Sequence, residues 1–534
     1  MAAENKPFRL PLVADPQNRD TTSLRDAKLI NGYIEKQGES EVWVYKRPGF
    51  QSTTGGSASP GTGRGVSNWQ GNLYSVVGTS LYKNGTAVGS GITGTGMCSF
   101  DSTMGGTPTF FVNDGTVGGY YTYNTTAGFA TVAAGSDQTY LCDPTLGTVD
   151  VYTASTVGLA AGYPISGVGI PAGTTITSIT DANYFTISNL ATASGYANMV
   201  VTLPGPPAIS VKGTTYIDGT MYLMTPGAVL RGSAFNDLTN WDPINSILAQ
   251  AEPDPGVALA KQLVYAVAFN QWTTEVFYDA GNSPGSPLSP VQGALIPIGC
   301  RHANTVRELG GSLFWVGQTR NGSVSVMQMD GLKAQTVSTP AVERLLQAAT
   351  WTSGNVYSWS AMFNGHKFYA VTLTAANLTL VFDTQSRSWS QWQDVNGNYL
   401  PFVDSTFGTS GQAVFQHETN GGLYAMSATV TLDGSDWITL DLYTPNFAGE
   451  TKVRKVVKTM GIVADQTSGS TLQVRVSDDD YQTWSNFRVF DLGQIRPRLI
   501  NCGTFRRRAF HFRHSSPVPL RIKAVELQVE LGTL

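Results

Sequence analysis

Three observations in the sequence predict an all-β protein whose largest part is a β-propeller of six or seven blades. Apolar residues alternate with polar ones in pairs of short runs, which is typical of antiparallel hairpins with one buried face. Asp-Gly and Asn-Gly pairs separate many of these runs and indicate tight turns. The paired runs recur at intervals of about 40–50 residues, the range of propeller repeats. Arranging such repeats in a ring removes the exposed edges that isolated hairpins would leave.

The clearest repeat lies between Trp359 and Trp392. It contains two alternating strands, 363–371 and 378–383, followed by a short strand that carries Trp389. Weaker versions of this pattern occur at 64–86, 109–123, 210–224, 264–278, 312–331 and 411–426. Seven such hairpins support six or seven blades.

Composition agrees with a rigid β-protein. The chain has 58 glycines in 534 residues, and charged residues make up 13%, against about 25% in ordinary soluble domains. Most of the surface is therefore uncharged and polar. One short helix is predicted, with Thr339 as its N-cap and Pro340 at its first position.

We divide the chain into five segments. They are an N-terminal arm with a ring-closing strand (1–50), a first propeller part (51–133), an inserted small β-sandwich (134–203), a second propeller part (204–435) and a C-terminal, jelly-roll-like β-sandwich (436–534). We expect the strand Val42–Tyr45 of the arm to pair with a late strand, such as Val414–Phe415, and so close the ring. The insert is rich in Gly, Thr, Ala and Ser and should form a peripheral domain.

Charge is unevenly distributed along the chain. From Lys452 to Lys523 there are 14 Lys and Arg against 5 Asp, a sum of +9, so the rest of a chain of net charge −4 carries −13. Within this segment Arg506, Arg507, Arg508 and Arg513 form the most concentrated cationic group. Such a group suits either phosphates or an acidic protein neighbour. Because the chain as a whole is acidic, we favour a protein partner and take these four arginines as a candidate interface.

The run Asp478–Asp480 could hold a cation through oxygen ligands. The same segment fits the spacing Ser-x-Asp-x-x-x-Thr-Trp of an Asp-box hairpin, a fold-stabilising turn, with Ser477, Asp479, Thr483 and Trp484 at the four positions. Tyr481 stands where that box usually has glycine. We favour the structural turn and predict no metal site.

Other candidate chemistry is sparse. His511 and Arg513 should share a strand face that His514 does not, so the two histidines are poor joint ligands. The four cysteines are scattered without metal spacing and are expected to be free and buried. The sequence contains no P-loop, GxSxG or HExxH motif, so we predict no catalytic residues and no cofactor. We also expect no signal peptide, no membrane span and synthesis in a cytoplasm.

Several short phrases resemble the packaged-DNA stabilisation proteins of short-tailed bacteriophages, the tail hub or nozzle proteins. They are, in order, 29–33, 44–50, 64–65, 72–78, 218–219, 236–243, 251–255, 274–278 and 337–343. The resemblance implies a non-enzymatic virion protein of the tail, a homohexamer around the DNA channel that retains the packaged genome and opens for ejection. It further implies an adaptor ring below the portal, tail fibres or spikes, and passing DNA as partners.

Two other functions remain open. A propeller with an Asp box resembles sialidase-like glycoside hydrolases, which need paired carboxylates or a tyrosine nucleophile, and converging arginines. This chain has one imperfect box, and its arginines concentrate outside the propeller. A glycan-binding tail module is the other alternative, since 11 Trp and 22 Tyr offer stacking surfaces, although most of these aromatics fall at blade strand positions.

Overall fold

A computed structural model describes residues 5–16, 26–38, 41–53, 60–115, 119–449 and 453–531. Parts of the predicted N-terminal arm (1–4, 17–25 and 39–40) and Lys452 lie outside these ranges. Antiparallel strands dominate the structure, and seven groups of strands form the blades of one propeller. This confirms the predicted fold class and sets the blade number at seven.

The blades follow one another along the chain. Blade 1 contains Gly63–Trp69, Asn72–Val77, Ser80–Lys83 and Thr86–Ser90; blade 2 contains Ser99–Ser102, Phe110–Asn113, Tyr120–Asn124 and Gly128–Val132; blade 3 contains Thr215–Ile217, Thr220–Met224, Val229–Gly232 and Ser246–Leu248. Blade 4 contains Gly256–Gln262, Tyr265–Asn270, Thr274–Asp279 and Leu288–Pro290; blade 5 contains Gly299–Cys300, Arg307–Leu309, Ser312–Gln318, Val324–Asp330 and Lys333–Thr336. Blade 6 contains Val356–Phe363, His366–Leu373, Leu378–Asp383 and Ser388–Gln391; blade 7 contains Phe402–Phe407, Ala413–His417 and Leu423–Ser427.

Tight turns fix the register of several blades. In blade 6, Asn364 and Gly365 both have positive φ and join strands in which Phe363 pairs with His366. Asp218 and Gly219 do the same in blade 3. Two successive residues with positive φ form the turn that best matches the twist of a hairpin, and Asn-Gly and Asp-Gly pairs favour it. These turn predictions from sequence are therefore confirmed.

The ring is closed by an N-terminal strand, but not by the one we expected. The strand Gly49–Ser52 pairs with Leu423–Ser427 as the fourth strand of blade 7. The predicted closing strand lies within Glu41–Lys46, which instead pairs with Gly32–Gln37 and Arg521–Leu531. That prediction was wrong in both strands because alternation marks a strand without specifying which distant edge it joins.

The insert forms one six-stranded sheet, not the predicted sandwich of two sheets. Its strands are Ser136–Pro144, Asp150–Thr153, Ile165–Gly167, Ile176–Ile179, Tyr184–Ile187 and Ala197–Leu203. The two edge strands of this sheet meet, because the Ile165 N–H donates to Thr174 O and the Ile176 N–H donates to Tyr163 O. The sheet therefore curls into a small barrel around its own core, which includes Val151, Phe185 and Met199. We call residues 136–203 the barrel insert.

The C-terminal region forms a sandwich of two sheets around one core. One sheet contains Asn5–Arg9, Gly32–Gln37, Glu41–Lys46, Lys455–Ala464, Arg498–Ile500, Thr504–Phe505 and Arg521–Leu531. The other contains Lys28–Ile30, Leu440–Tyr443, Thr471–Ser477, Arg488–Asp491 and Ala509–His514, and it continues through Lys28–Ile30 into blade 6. The N-terminal arm thus supplies four strands to the sandwich, and one nine-stranded sheet joins the sandwich to the propeller.

The remaining elements are short. The helix Pro340–Gln347 packs on blade 5 through Val342 and Leu346, and its N-cap Thr339 accepts the Val342 N–H, as predicted. Two 3₁₀ turns span Ala303–Thr305 and Thr374–Ala376, and a small hairpin joins Leu432–Asp433 to Asp436–Trp437. Among the residues described, no helix has the length and apolarity to cross a membrane.

The arm, the propeller and the sandwich meet at the buried guanidinium of Arg47. It donates to both carboxylate oxygens of Asp433, to Asn31 Oδ1 and to the carbonyls of Pro48 and Gln393. Asp433 also accepts the N–H of Phe50, which lies in the closing strand. A guanidinium in this position has five donors, and here all the partners come from different strands or turns.

We expect Arg47→Ala to lower the free energy of unfolding by about 3 kcal/mol, because it leaves Asp433 without its buried ion partner. Urea unfolding followed by tryptophan fluorescence measures this loss. Arg9→Ala is the matched control, since the Arg9–Glu41 pair is exposed and worth no more than about 1 kcal/mol. Equal urea midpoints for Arg47→Ala and wild type would contradict the assigned role.

Excising Gly135–Thr202 and joining the ends with a short Gly/Ser linker should leave the propeller folded. The Gly135 N–H donates to Pro206 O at 2.8 Å, so the chain enters and leaves the insert side by side. Blades 2 and 3 also share a core of their own, in which Phe111 and Tyr120 pack with Met221 and Trp241. Near-ultraviolet circular dichroism and size-exclusion chromatography test this; an aggregated product would show that the barrel insert is part of the propeller core.

Candidate functional site

A cavity of about 550 Å³ lies on the propeller axis. Residues from the inner edges of all seven blades line it, among them Val66, Ser99, Thr214, Ala258, Arg307, Ser360 and Asp404. In propellers this axial position is where the blades converge, so charged side chains here contact several blades at once.

Three charged groups stand together in this cavity. Lys212 Nζ donates to Asn304 Oδ1 at 3.0 Å. Arg307 is paired with Asp404, whose other oxygen accepts the Val66 N–H at 3.0 Å. Burial, assisted by the neighbouring Arg307 cation and partly opposed by Asp404, lowers the pKa of Lys212 from 10.5 to about 7.

These groups connect blades to one another. Arg307 in blade 5 donates to Ser358 Oγ in blade 6 at 3.0 Å and is paired with Asp404 in blade 7. Asn304 donates to Val356 O at 3.1 Å. Lys212, Arg307 and Asp404 therefore each have a partner on another blade.

Burial also shifts the pKa values of other titratable groups near the axis, and it raises the pKa of Asp101, which lines the cavity, to about 6. Burial raises the thiol pKa of Cys98 and Cys300 to about 12, and a buried thiol with a raised pKa is inert. Burial, with Lys212 and Arg301, lowers the pKa of His302 to about 4. All four cysteines are free; three are buried, and Cys502 is half-buried.

The acidic run in the sandwich forms a turn. Asp479 Oδ1 accepts hydrogen bonds from the N–H groups of Gln482 and Thr483 and from the hydroxyl of Ser477. Together with the hydrogen bond from the Thr483 hydroxyl, these bonds lower the pKa of Asp479 to about 2. Asp478 binds Arg508, and Asp480 binds Arg507. The Asp-box interpretation agrees with this geometry. Within the described ranges no three His, Cys, Asp or Glu side chains form a group that could hold a metal ion.

The four candidate interface arginines occupy different environments. Arg508 is buried, makes two hydrogen bonds of 2.7 and 2.8 Å to Asp478, and donates to Cys502 O. Arg513 is half-buried and donates to the buried Asp441 at 2.7 Å. Arg506 and Arg507 are exposed. The interface stays a prediction, and these two residues are its exposed members, although Arg507 also donates to Asp480 at 3.0 Å.

The sandwich also contains a network that sequence reasoning found only in part. Burial alone would raise the pKa of Asp441, but hydrogen bonds from His511 and Arg513 lower it. His514 is buried elsewhere, with its Nε2 atom 2.9 Å from Ser470 Oγ. His511 and Arg513 therefore share a strand face that His514 does not, as expected. Arg475, which we did not single out, bonds His511 Nδ1. Its cation also lies over Trp484 and Phe487, an arrangement that no local pattern indicates.

Two more sites were missed in the sequence. Arg47 belongs to a phrase on which the family resemblance rests, but its role requires Asp433, almost 400 residues later. Lys212 opens the blade 3 hairpin and has no signal in the sequence beyond its charge. A lone lysine in an otherwise apolar and glycine-rich run is the single hint that it is buried.

These contacts define a seven-bladed β-propeller that shares one sheet with a C-terminal sandwich. The model of the family described as bacteriophage P22 Gp10, beta-propeller, matches residues 150–430, which is more than half of the chain. The protein belongs to this phage family.

Further comparisons give distant matches only. No curated protein matches the chain. Among solved structures, streptogramin B lyase is 9% identical, with a TM-score of 0.32 and coverage of 71% of this chain and 98% of the lyase. YCF48 bound to D1 peptide is 11% identical, with a TM-score of 0.35 and coverage of 72% of this chain and 100% of YCF48. Such scores carry no argument about function.

Lys212→Met should change how stability depends on pH. Between about pH 7 and pH 10 the unfolded chain holds a proton on Lys212 that the folded protein has lost, so this group makes wild-type stability rise with pH. The variant lacks that rise, so its stability relative to wild type should be greatest below pH 7 and should fall toward pH 10. Thermal unfolding across this range measures the difference. Lys333→Met, at an exposed lysine of blade 5, is the control, and parallel curves for wild type and Lys212→Met would contradict the burial of this charge.

Proposed function

We propose that this protein is the tail hub, or nozzle, of a short-tailed bacteriophage. In this role it forms a ring, a homohexamer by resemblance, around the DNA channel below the portal and its adaptor. It retains the packaged genome and opens for ejection, and it acts by assembly rather than by catalysis. The observation that carries the proposal is the family match over residues 150–430, which include blades 3 to 7.

The anchoring of the closing strand supports a role in resisting the pressure of the packaged genome. The closing strand Gly49–Ser52 completes blade 7, and the strands before it are built into the sandwich. A packaged genome presses outward on whatever closes its exit. A propeller whose ring closure is anchored in a second domain resists the opening of a blade better than one with a free terminus.

The charge distribution supports an orientation. A strongly basic lumen would hold passing DNA through its phosphates. We therefore assign the acidic propeller to the channel side, and the basic sandwich to the adaptor ring or the neighbouring subunit. Arg506 and Arg507 are exposed on the sandwich and suit a docking contact, where charges steer association and fix its register. Tail fibres or spikes would then attach to outer surfaces.

Phage heads filled in the absence of this protein provide the test. They should lose their DNA on standing, and adding the purified protein should restore retention, with a ring visible below the portal by electron microscopy. Heads that retain DNA equally well without the protein would overturn the proposed role.

The docking face has its own matched variants. Arg506→Ser with Arg507→Ser should slow docking on the heads and weaken its dependence on salt, because rim charges act mainly on the association rate. Arg344→Ser with Arg387→Ser removes two exposed arginines from the propeller instead and should leave docking unchanged. If the sandwich variant docks normally but loses salt-sensitive binding to DNA, these arginines face DNA.

A further inference from the structure

The barrel insert carries an exposed group of aromatic residues on its outer face. Three neighbouring strands of its sheet place Asp143, Tyr152 and Tyr184 directly opposite one another in one row. The residues before or after them in each strand, Cys142, Val151 and Phe185, point into the buried core. Because side chains alternate along a strand, the row Asp143–Tyr152–Tyr184 lies on the outside.

A third tyrosine joins this row from a loop. Tyr196 contacts Tyr152 with ring centroids 6.2 Å apart and planes at 90°, and Tyr184 contacts Tyr152 at 5.2 Å and 67°. Tyr184 is 45% exposed and Tyr196 is 63% exposed. The Gly195 N–H donates to Asp143 Oδ1 at 2.9 Å and so holds the loop against the row. We call Tyr152, Tyr184 and Tyr196 the tyrosine platform.

Polar groups border the platform. Thr186 follows Tyr184 on the same strand face and is 2.6 Å from the hydroxyl of Thr177 and 2.7 Å from that of Ser178. Asp150 lies opposite Thr186 on the neighbouring strand and is exposed. The outer face therefore combines aromatic rings, which have an apolar body, with carboxylate and hydroxyl groups that accept and donate hydrogen bonds.

The charge of the barrel insert restricts what can bind there. Residues 136–203 contain four Asp and no Lys, Arg, His or Glu. A phosphate, sulfate or acidic sugar would find no cation in this domain and would be repelled by its carboxylates at distances within about 8–10 Å. The ligand must therefore be uncharged or cationic, and it must have apolar faces that stack on tyrosine rings.

The size of the platform favours a sugar over a protein as its ligand. A protein interface covers about 800 Å² on each partner, whereas a tyrosine side chain offers at most about 150–250 Å² when fully covered. Two rings that are about half exposed, with a half-buried third, match the area of a few sugar rings. Sugar rings also present C–H faces to aromatic rings and hydroxyls to carboxylates, and hydrogen bonds to a charged acceptor are about twice as strong as neutral ones.

We propose that the tyrosine platform of the barrel insert binds an uncharged polysaccharide. Tyr184 and Tyr196 stack on the sugar rings, and Asp143 and Asp150 accept hydrogen bonds from their hydroxyls. The site is separate from the propeller axis and from the docking face, so it adds a surface-binding activity to a structural protein.

Isothermal titration of the full-length protein tests this with two sets of probes. One set is uncharged oligosaccharides of glucose, galactose, mannose and N-acetylglucosamine; the other is heparin and polysialic acid. We expect at least one uncharged probe to bind with a Kd below about 1 mM and the anionic probes not to bind. Absence of binding by every uncharged probe, or equal binding of the anionic ones, would overturn the proposal.

Variants locate the binding. Tyr184→Ala with Tyr196→Ala should weaken it at least about tenfold, whereas Tyr184→Phe with Tyr196→Phe keeps the rings and should largely retain it. Tyr278→Ala in blade 4 is the matched control, because Tyr278 is 41% exposed. Unchanged affinity in the Ala variant would overturn the assignment. A second result would also overturn it: wild type binds another virion protein but no glycan, and the Ala variant does not bind that protein. Such a result would assign the face to a protein partner.

Discussion

The ion pair between Arg47 and Asp433 is the constraint on which the architecture depends. Asp433 follows the last blade, and Arg47 directly precedes the strand that completes this blade, so the pair fixes the two segments that close the ring. The same guanidinium bonds Asn31, which lies between two strands of the sandwich. Taking a cation out of water is costly unless every donor finds a partner, so this site forms only when the arm, the propeller and the sandwich are all in place.

Two of the sequence phrases that resemble the phage family, 29–33 and 44–50, have their physical explanation at this junction. Asn31 has a φ of 55° and its side chain accepts the Gln393 N–H and the Arg47 Nε–H. A Cβ on Gly49 would lie 1.9 Å from Leu432 O, so only glycine allows the closing strand to approach the hairpin. Pro48 has no backbone N–H, so this buried turn has one hydrogen-bond donor fewer to satisfy. The phrase 44–50 is thus a set of residues that the ring closure requires, and it needs no active site to account for it.

The local sequence pattern predicted the hairpins, the tight turns and the helix. Period-two alternation and Asn-Gly or Asp-Gly turns indicated seven hairpins, and Thr339 with Pro340 indicated the helix, because these signals involve residues only a few positions apart. The pairing of distant strands could not be predicted. Gly49–Ser52 pairs with Leu423–Ser427, some 370 residues later, and neither segment has a feature that specifies the other as its partner. The arginines illustrate the same limit. Charge alone grouped Arg506 to Arg508, but Arg508 is buried against Asp478 and leaves its two neighbours exposed.

The same physical rule explains why the binding surfaces that we propose lie away from the propeller axis. At the axis Arg307 pairs with Asp404 and Lys212 donates to Asn304, because an unpaired charge in a desolvated cavity is costly. Their hydrogen-bonding capacity is therefore used between blades. On the sandwich, Arg506 and Arg507 remain hydrated, and on the barrel insert the tyrosine platform keeps its rings open to solvent. Exposed groups retain the capacity to exchange water for a partner, so evolution can alter recognition at these outer surfaces without disturbing the closed ring beneath them.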